Sequence, residues 1–355
     1  MSSRHLALVR LLADGRQHTG PDIAARFGIS RAAVAKTVQA LAQRWDLEIT
    51  ATRGQGYRLC QPLELLDAAR IQSTLAAAVR ARLAAIEVWA EIDSTNAELL
   101  RRGHDGAPSG LVCLAERQLA GRGRHGRLWV SPFGRNCYLS ILWRTALPPA
   151  ALGGLSLAGG VAVVAAIQAA AGPIAPGRVA IGLQEIGLKW PNDLHWRRRK
   201  LAGLLVEVSG EAQGPSQVVL GVGINLGLGP VQGTAIDQPW VDLEEIVGPG
   251  TIGRNALAAA LIGQLVGMFE GFERDGLAAF IDDWRRLDRY CGEVAELQLG
   301  SRCIQGTLAG IDADGLLLLD TGDGCRRLHG GEIRLRACSA SAIPEAGAEQ
   351  ADSGS

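Results

Sequence analysis

Three arginines alternate with glycines in the segment Gly121-Arg-Gly-Arg-His-Gly-Arg-Leu-Trp129, and this combination points to anion chemistry. Glycine lets backbone N–H groups approach an anion closely, and the guanidinium groups of Arg122, Arg124 and Arg127 supply forked, charged donors. We expect a flexible loop of this composition to bind a carboxylate joined to a phosphate. A solvated basic turn and a nucleic-acid-binding loop remain open alternatives, because the spacing alone is equally compatible with them.

The same loop formally matches the dinucleotide-binding pattern G-x-G-x-x-G through Gly121, Gly123 and Gly126. That pattern requires a helix after the glycines and an acidic residue about 20 residues later. The following segment Leu128-Trp-Val-Ser-Pro-Phe-Gly134 is not typical of a helix, and no Asp or Glu stands near the expected position. We therefore reject a dinucleotide site. No G-x-x-x-x-G-K-[ST] phosphate loop is present either, so nucleotide chemistry needs a different cradle.

Four further segments place polar or charged residues beside predicted strands or helix starts. They are Asp93-Ser-Thr-Asn96, Lys189-Trp-Pro-Asn-Asp-Leu194, Lys200-Leu-Ala-Gly-Leu-Leu-Val-Glu207 and Gly221-Val-Gly-Ile-Asn225. Each has a simple structural interpretation by itself. Ser-Thr-Asn is typical of a helix N-cap, Lys200 ends the basic run 197–200 like a solvated charge, and Asn192-Asp193 forms a turn beside Pro191.

Charge is distributed unevenly along the chain, although the net charge of the 355 residues is zero. Residues 1–62 hold nine Lys/Arg against four Asp/Glu, a difference of +5, so the remainder carries −5. A basic amino-terminal module on an acidic body indicates that the small module alone meets nucleic-acid phosphate.

The cysteines and the apolar stretches indicate the cellular compartment of the protein. Seven scattered cysteines without a Cys-x-x-Cys pair argue against a disulfide framework and a zinc site, and favour a reducing cytoplasm. Arg10 breaks the first apolar run, so no signal peptide is expected. The uncharged stretch 145–177 is rich in Ala and Gly and contains prolines. It predicts a buried helix and no membrane association.

Residues 1–62 predict a winged helix–turn–helix. Helices are expected over 5–12, around Ile23 and Phe27, and from an N-cap at Ser30. Residues 47–59 predict two strands joined by a Gly-containing turn, which is the wing.

This arrangement predicts a helix that reads the major groove of DNA. The candidate DNA contacts are Ser30, Arg31, Lys36 and Gln39, with Arg53 of the wing reaching phosphate. The alternative is a winged helix used only for structural or protein contacts.

Residues 63–286 mix strands and helices, so the chain is predicted to be of the α+β class. Strands are expected over 88–91, 111–116, 136–143, 179–190, 201–208 and 218–224, and helices near 64–80, 152–171, 254–273 and 276–286. Residues 287–338 predict a small β-barrel with Gly/Asp turns, and the polar tail 339–355 is predicted to be disordered.

The five polar segments, in this order, resemble the biotin–protein ligases. With the winged helix before them and the small barrel after them, the chain resembles the bifunctional bacterial ligases that also act as biotin operon repressors, over roughly residues 5–337. The resemblance implies a mixed-sheet ligase domain like that of class II aminoacyl-tRNA synthetases, followed by an SH3-like barrel. It implies that biotin and ATP form biotinyl-5′-adenylate, usually with Mg²⁺. The biotinyl group then passes to a lysine of the biotin carboxyl carrier protein of acetyl-CoA carboxylase.

The resemblance also assigns roles to residues. Biotin is expected at Ser94, Thr95, Asn96, Gln118, Arg122, Gly123, Arg124 and Lys200, and the adenylate at Lys189, Asn192, Gly203, Asn225 and Trp240. The catalytic residues are expected to be Arg124, Lys189, Asp193 and Lys200. Asp193 is expected either to hold Mg²⁺ or to help the incoming lysine lose its proton, and Trp190 to lie in the core.

One departure from the family pattern is His125, which stands where the bifunctional ligase has a third arginine. Because Arg122 and Arg124 are intact, we expect catalysis to persist. The resemblance further implies operator DNA as a partner and a homodimer when the adenylate is bound. Two other functions remain open: a lipoate-type ligase, and a ligand-sensing transcription factor without ligase turnover.

Overall fold

The computed structural model describes residues 3–172, 178–229, 233–299, 302–329 and 335–337. The chain forms two compact units. The first extends to Arg289 and includes Ala313–Gly315, and the second contains Tyr290–Asp312 and the residues from Leu316 onward.

The winged helix predicted at the amino terminus is present in the first unit. It consists of α1 (Ser3–Leu12), α2 (Gly20–Phe27), α3 (Arg31–Trp45), β1 (Ile49–Thr52) and β2 (Gly56–Leu59). Ser30 caps α3, since its side-chain oxygen accepts from Ala33 N at 3.2 Å. The predicted stripe of Val34, Val38 and Leu41 is buried. The wing returns close to the chain before α2, which requires glycine at position 56.

The centre of the first unit is a seven-stranded mixed sheet. Its spatial order is β3 (Ala85–Trp89), β4 (Leu111–Ala115), β5 (Cys137–Thr145), β9 (Ser216–Ile224), β8 (Arg199–Gly210), β7 (Asp193–Trp196) and β6 (Ile186–Lys189). Only β3 and β4 run parallel among these neighbours, and the other pairs are antiparallel. The sheet brings strands that are far apart in sequence next to one another, and four predicted site residues lie on these strands: Lys189, Asp193, Lys200 and Gly203.

Helices flank this sheet, most of them in contact with its strands. They are α4 (Ala68–Thr74), α5 (Ala77–Arg80), α6 (Thr95–His104), α7 (Leu155–Ala170), α8 (Arg178–Gln184), α9 (Leu243–Val247), α10 (Arg254–Asp275) and α11 (Ile281–Leu287). The expected buried helix in the uncharged stretch is α7, which packs on α10 and β8. In the described residues, the stretch Arg254–Ala279 is long and apolar enough to cross a membrane. However, 67% of its apolar window is buried inside the protein, as in a core helix.

The strand predicted over 179–190 is wrong in its first half, which forms α8, while β6 occupies only the second half. Valine and isoleucine favour strands, but tertiary contacts override this weak preference. The backbone of α8 approaches α9 closely at Gly182, where a Cβ would lie 3.0 Å from the Ile246 side chain. The Gly182 carbonyl also accepts from Trp196 Nε1 at 3.0 Å.

Two smaller expectations also need correction. The single helix expected near 64–80 is two short helices, because α4 begins only at its N-cap Asp67, which accepts from Arg70 N at 3.0 Å, and ends before Leu75. The short strand β7 is not anticipated, because its alternation of polar and apolar residues extends over only four positions, the shortest pattern that indicates a strand.

The second unit is a five-stranded antiparallel sheet. Its strands are β10 (Val294–Leu299), β11 (Arg302–Ile311), β12 (Leu317–Asp320), β13 (Cys325–Leu328) and β14 (Leu335–Ala337), in the order β13-β12-β11-β10-β14. Leu297, Leu308 and Leu319 are among its buried residues. The small antiparallel carboxy-terminal fold is therefore as predicted, and the tail 339–355 lies outside the described residues.

The winged helix shares an apolar contact with the central sheet region. Trp45, the last residue of α3, stacks on Phe133 with ring centroids 4.1 Å apart and an interplanar angle of 12°. Phe133 is buried within the winged-helix core cluster, although it follows the basic glycine loop in sequence. Beside this stack, Arg44 pairs with Glu91, and Arg117 donates to the Arg44 carbonyl. The end of α3 is thus attached to the segments on both sides of the loop.

A buried ion pair attaches the linker that follows the winged helix. Arg254 at the start of α10 pairs with Glu116 at 2.5 Å and donates to the carbonyls of Asn136 and Glu64, each at 2.8 Å. The second oxygen of the Glu116 carboxylate accepts from Leu66 N at 2.6 Å. One guanidinium therefore connects the linker, the end of β4 and the start of β5.

Candidate functional site

The basic glycine loop is a hairpin closed by its own backbone. Trp129 N donates to Gly121 O at 2.9 Å, and Gly123 N donates to Arg127 O at 2.7 Å. The tip turns at His125, whose φ of 57° lies in the left-handed region. Histidine is one of the side chains that tolerate this region better than most. The departure at His125 is thus compatible with the turn.

The side chains of this hairpin differ in exposure. Arg122, His125 and Arg127 are exposed, whereas Arg124 is half-buried. Burial lowers the pKa of Arg124, while the negative charge of Asp193 opposes that shift. Arg124 therefore points toward the sheet, and the other basic side chains remain available to a ligand from solvent.

Trp129 at the end of the hairpin lies over two paired glycines of the sheet. Gly203 of β8 and Gly223 of β9 are register partners. A Cβ at Gly203 would lie 3.2 Å from the indole, and a Cβ at Gly223 would lie 2.6 Å from it. The glycine pair creates the space for the ring. The buried Trp129 Nε1 has no hydrogen-bond partner among the described residues.

Lys200 and Asp193 meet beneath this indole. Lys200 Nζ lies 2.8 Å from Asp193 Oδ1 and 5.6 Å from the Trp129 ring centroid. A Cβ at Gly203 would lie 3.3 Å from Lys200 and 3.4 Å from Asp193, so the absence of a side chain there lets all these groups approach. The structure thus brings the predicted residues Lys200, Asp193 and Gly203 together at the hairpin.

Asp193 is ionised in this environment. Burial raises the pKa of the Asp193 carboxyl, but the neighbouring His195 ring and the charge and hydrogen bond of Lys200 outweigh burial and lower it to about 2. Burial lowers the pKa of Lys189, the register partner of Asp193, and the nearby positive charges of Lys200 and Arg127 lower it further. Several cations therefore surround one carboxylate, leaving net positive charge for an anionic ligand.

The Ser94-Thr95-Asn96 triplet starts α6, as the simple interpretation predicted, with Ser94 as its N-cap. Thr95 N donates to Gln118 Oε1 at 2.9 Å, which joins two predicted biotin residues. Asn96 is also buried, but its amide donates to Glu207 at 2.8 Å and to Leu205 O at 3.3 Å. The hydrogen bonds of Asn96 place it behind Thr95.

The predicted adenylate residues are linked to the backbone of β8. Asn192 Nδ2 donates to Leu204 O at 2.6 Å. Asn225 Nδ2 donates to Val241 O at 3.2 Å and to Lys200 O at 3.4 Å. These amides hold the turn before β7 and the segment containing Trp240 next to Lys200. Between Asn225 and Trp240, residues 230–232 lie outside the described residues.

Sequence reasoning missed several site residues. His195 lies beside Asp193, and the alternation of side chains in a strand, which puts positions 193 and 195 on one face of β7, was the available signal. Trp129 belongs to the glycine-loop motif, but the sequence alone gives it no role. Ser140 and Glu207 meet Asn96 only through the sheet; no local pattern marks Ser140, and Glu207 ends one of the five segments without a role being assigned to it.

The predicted DNA contacts lie on the free face of the winged helix. Ser30, Arg31, Lys36 and Gln39 are exposed, and Arg53 is exposed in the turn between β1 and β2. The apolar side chains of α3 face the core instead. The basic side chains are therefore accessible to a phosphate backbone.

Family comparisons agree with this architecture. Residues 88–225 match the biotin/lipoate A/B protein ligase family, residues 4–58 match an HTH domain, and residues 291–336 match the biotin protein ligase C-terminal domain.

Curated relatives match two thirds or more of the chain. The bifunctional ligase/repressor BirA of Salmonella typhimurium is 41% identical over 93% of this chain and 97% of its own length. The protein of the same name from Escherichia coli is 39% identical over the same shares. The biotin–[acetyl-CoA-carboxylase] ligase of Mycobacterium tuberculosis is 36% identical over 67% of this chain and 84% of its own length.

A solved structure shows the same fold. The biotin protein ligase from Aquifex aeolicus in complex with biotin and ATP superimposes with a TM-score of 0.59 at 28% identity, covering 71% of this chain and 99% of that one. The chain is therefore a biotin protein ligase by family. Within that class it belongs to the bifunctional ligase/repressor proteins. The predicted family and fold class are confirmed.

Proposed function

We propose that this chain joins biotin to ATP as biotinyl-5′-adenylate, transfers the biotinyl group to a lysine of a biotin carboxyl carrier protein, and represses transcription from operator DNA. The observation that carries the ligase proposal is the Lys200–Asp193 pair, 2.8 Å apart, beneath the hairpin that holds Arg124. Fixed positive charge is what a reaction between a carboxylate and a polyphosphate requires, because the two reactants repel each other.

The charged residues divide the work in this proposal. Lys200 and Arg124 bind the carboxylate of biotin and the α-phosphate, and Arg122 at the exposed side of the hairpin closes over them. Trp129 covers the junction with an apolar surface and keeps water from the mixed anhydride. Lys189 binds the nucleotide together with Trp240, which lies in the segment after β9. Reacting atoms held in this way gain from proximity and from electrostatic stabilisation.

Asp193 suits Mg²⁺ in this proposal. Among the residues that the structure describes, no group of three or more His, Cys, Asp or Glu side chains can hold a metal ion. Mg²⁺ commonly binds through one or two carboxylates together with substrate phosphates, so a single ionised carboxylate fits that pattern. When bound there, the ion would supply charge neutralisation on the phosphates. A carboxylate whose pKa is lowered to about 2 is a poor base for a lysine ammonium, so we assign Asp193 to the ion and not to deprotonation.

Single-turnover chemistry tests the ligase proposal. The purified protein is mixed with biotin, Mg²⁺ and ATP labelled at its α-phosphate, and we expect protein-bound labelled adenylate followed by release of AMP when apo carrier protein is added. Lipoate in place of biotin is expected to give neither product. Adenylate formation without transfer, or equal turnover of lipoate, would contradict the proposal, and absence of adenylate would leave a ligand-sensing transcription factor.

The repressor proposal rests on the capped helix α3 with its exposed Arg31 and Lys36, and on similarity to proteins named ligase/repressor. We propose further that the adenylate-bound protein is a homodimer in the cytoplasm, with two winged helices that read two half-sites. Sedimentation and operator-shift experiments with and without biotin plus ATP test this. Tighter operator binding and a doubled mass are expected with both ligands, and ligand-independent binding would refute the switch.

A further inference from the structure

A chain of hydrogen bonds runs behind Thr95, across three strands of the sheet. Asn96 Nδ2 lies 2.8 Å from the Glu207 carboxylate and 3.3 Å from Leu205 O. Ser140 Oγ lies 2.6 Å from Asn96 Oδ1 and 2.7 Å from Thr95 Oγ1. Thr95 Oγ1 lies 3.2 Å from Gln118 Oε1.

The sheet register leaves room for these hydrogen bonds at one glycine. Gly221 of β9 pairs with Ser140 of β5 on one side and with Leu205 of β8 on the other. A Cβ at Gly221 would lie 2.0 Å from Asn96 Oδ1. The Asn96 amide therefore fills the space above a glycine and reaches acceptors and donors on both neighbouring strands.

The direction of each hydrogen bond follows from the protons that the groups possess. Leu205 O and the Glu207 carboxylate act as acceptors here, so they take the two protons of Asn96 Nδ2, and Asn96 Oδ1 faces Ser140. An amide oxygen only accepts, so Ser140 donates its single proton to Asn96. Thr95 Oγ1 lies 2.7 Å from Ser140 Oγ. Because Ser140 has already donated its proton to Asn96, Thr95 must donate its own hydroxyl proton in this contact.

Thr95 is left with lone pairs and no proton on its remaining side. Its proton lies in the 2.7 Å contact with Ser140, because two hydroxyl oxygens this close need a proton between them, whereas Gln118 Oε1 is farther away at 3.2 Å. Ser140 is 0% exposed, Thr95 4% and Asn96 6%, so water does not supply an alternative proton. Reversing one member would leave a buried polar group unsatisfied, which is costly.

We propose that Glu207, Asn96 and Ser140 are positioning residues that make Thr95 an obligate hydrogen-bond acceptor for a ureido N–H of biotin. This inference rests on the proposed function. A ureido nitrogen carries a proton and has little capacity to accept, so the fixed direction favours it over ligands that present an oxygen at the same place. A site built to bond an N–H group rejects analogues that lack it far more strongly than an apolar pocket rejects a missing methylene.

The first experiment compares biotin with two cyclic carbamates in which one or the other ureido N–H is replaced by a ring oxygen. We expect one carbamate to bind the full-length protein at least about a hundredfold more weakly than biotin. Ser140→Ala frees the Thr95 proton to turn toward the ligand. This variant should weaken biotin binding about tenfold. It should also lower the ratio of biotin affinity to carbamate affinity by about tenfold.

The matched control is Ser131→Ala, which removes a hydrogen bond to Gln118 without contact to Thr95. It should weaken biotin and the carbamates by the same factor and leave their ratio unchanged. An equal loss for both ligands in Ser140→Ala would overturn the inference. Tight binding of both carbamates to the unmodified protein would also overturn it, while adenylate formation from biotin would leave the proposed function intact.

A charge-swap set keeps the inference testable if Ser140→Ala does not fold. Asn96→Asp places two carboxylates in contact and should weaken biotin by more than tenfold. Adding Glu207→Gln supplies an amide donor to the new carboxylate, which still accepts from Ser140, so binding and the carbamate ratio should return to within about threefold of the original. If the double variant binds biotin no more tightly than Asn96→Asp, the proposed chain of hydrogen bonds is refuted. Recovery of both biotin binding and the carbamate ratio would support it.

Discussion

Replacing Arg254 with alanine removes the positive partner of a carboxylate that has almost no contact with water. The side chains of Arg254 and Glu116 are each 3% exposed and lie 2.5 Å apart. Breaking a buried ion pair on one side costs about 3–5 kcal/mol, because the remaining charge is left unpaired. Among the described residues, the Glu116 carboxylate then keeps the hydrogen bond from Leu66 N, and the carbonyls of Glu64 and Asn136 lose the guanidinium donor. We therefore expect Arg254→Ala to lie at the upper end of this range.

A surface pair of the same length provides the matched comparison. Arg102 and Glu87 also lie 2.5 Å apart, but their side chains are 37% and 30% exposed. Such pairs contribute about 0–1 kcal/mol, because water and salt screen the charges. Arg102→Ala should therefore shift the urea midpoint by a small fraction of the shift that Arg254→Ala causes.

Urea unfolding monitored by fluorescence and circular dichroism measures both effects. The double variant Arg254→Met with Glu116→Leu removes both charges and should recover most of the loss, because an apolar pair has no desolvation penalty. Similar midpoints for Arg254→Ala and Arg102→Ala would refute the reasoning. A double variant as unstable as the single one would show that hydrogen bonding to the carbonyls, and not charge, dominates.

Three further predictions concern the ligand and DNA sites. Gly223→Ala would place a Cβ 2.6 Å from Trp129, so it should displace the indole and raise the dissociation rate of the adenylate by more than tenfold, measured by chase with unlabelled ligand. Lys200→Ala and Arg124→Gly should each lower adenylate synthesis or retention by more than tenfold, over about 1.4 kcal/mol, in the single-turnover assay. Lys36→Ala should weaken operator binding and reduce the salt dependence of log K by about one phosphate contact, measured by titration at several salt concentrations.

Control variants distinguish these effects from general damage. Gly263 lies in α10, and a Cβ added there would meet no neighbouring atom within 4 Å, so Gly263→Ala should leave adenylate dissociation unchanged. Arg274→Ala at the exposed end of α10 should not change operator binding or its salt slope. Normal adenylate handling by both Lys200→Ala and Arg124→Gly would reject the proposed site, and an unchanged salt slope for Lys36→Ala would remove that residue from the DNA face.

The sequence was most informative where local patterns determine structure. The spacing of Val34, Val38 and Leu41 and the N-cap at Ser30 predict α3, because helix periodicity and capping are properties of neighbouring residues. The order of the five polar segments likewise predicted which residues approach the hairpin, although only through resemblance. Lys200 by itself looked like one more solvated charge.

Nonlocal contacts explain the rest. α8 contains Val179 and Ile181, which favour strands, but packing against α9 decides its conformation. Ser140 and Glu207 reach Asn96 only because β5, β9 and β8 are neighbours in the sheet. Their sequence separations from Asn96 are 44 and 111 residues, so no local pattern predicts the hydrogen-bond relay.

The stack of Trp45 on Phe133 affects how the two functions can be separated in evolution or engineering. A chain cut after the winged helix would present the Phe133 ring to water and take away the Leu66 N–H from Glu116 if the linker were lost as well. The residues after the winged helix are therefore not expected to form a stable monofunctional ligase without further substitutions. A shortened descendant needs a polar replacement at position 133 and a retained linker, and these two changes are where a stable single-purpose biotinylation tool from this chain should begin.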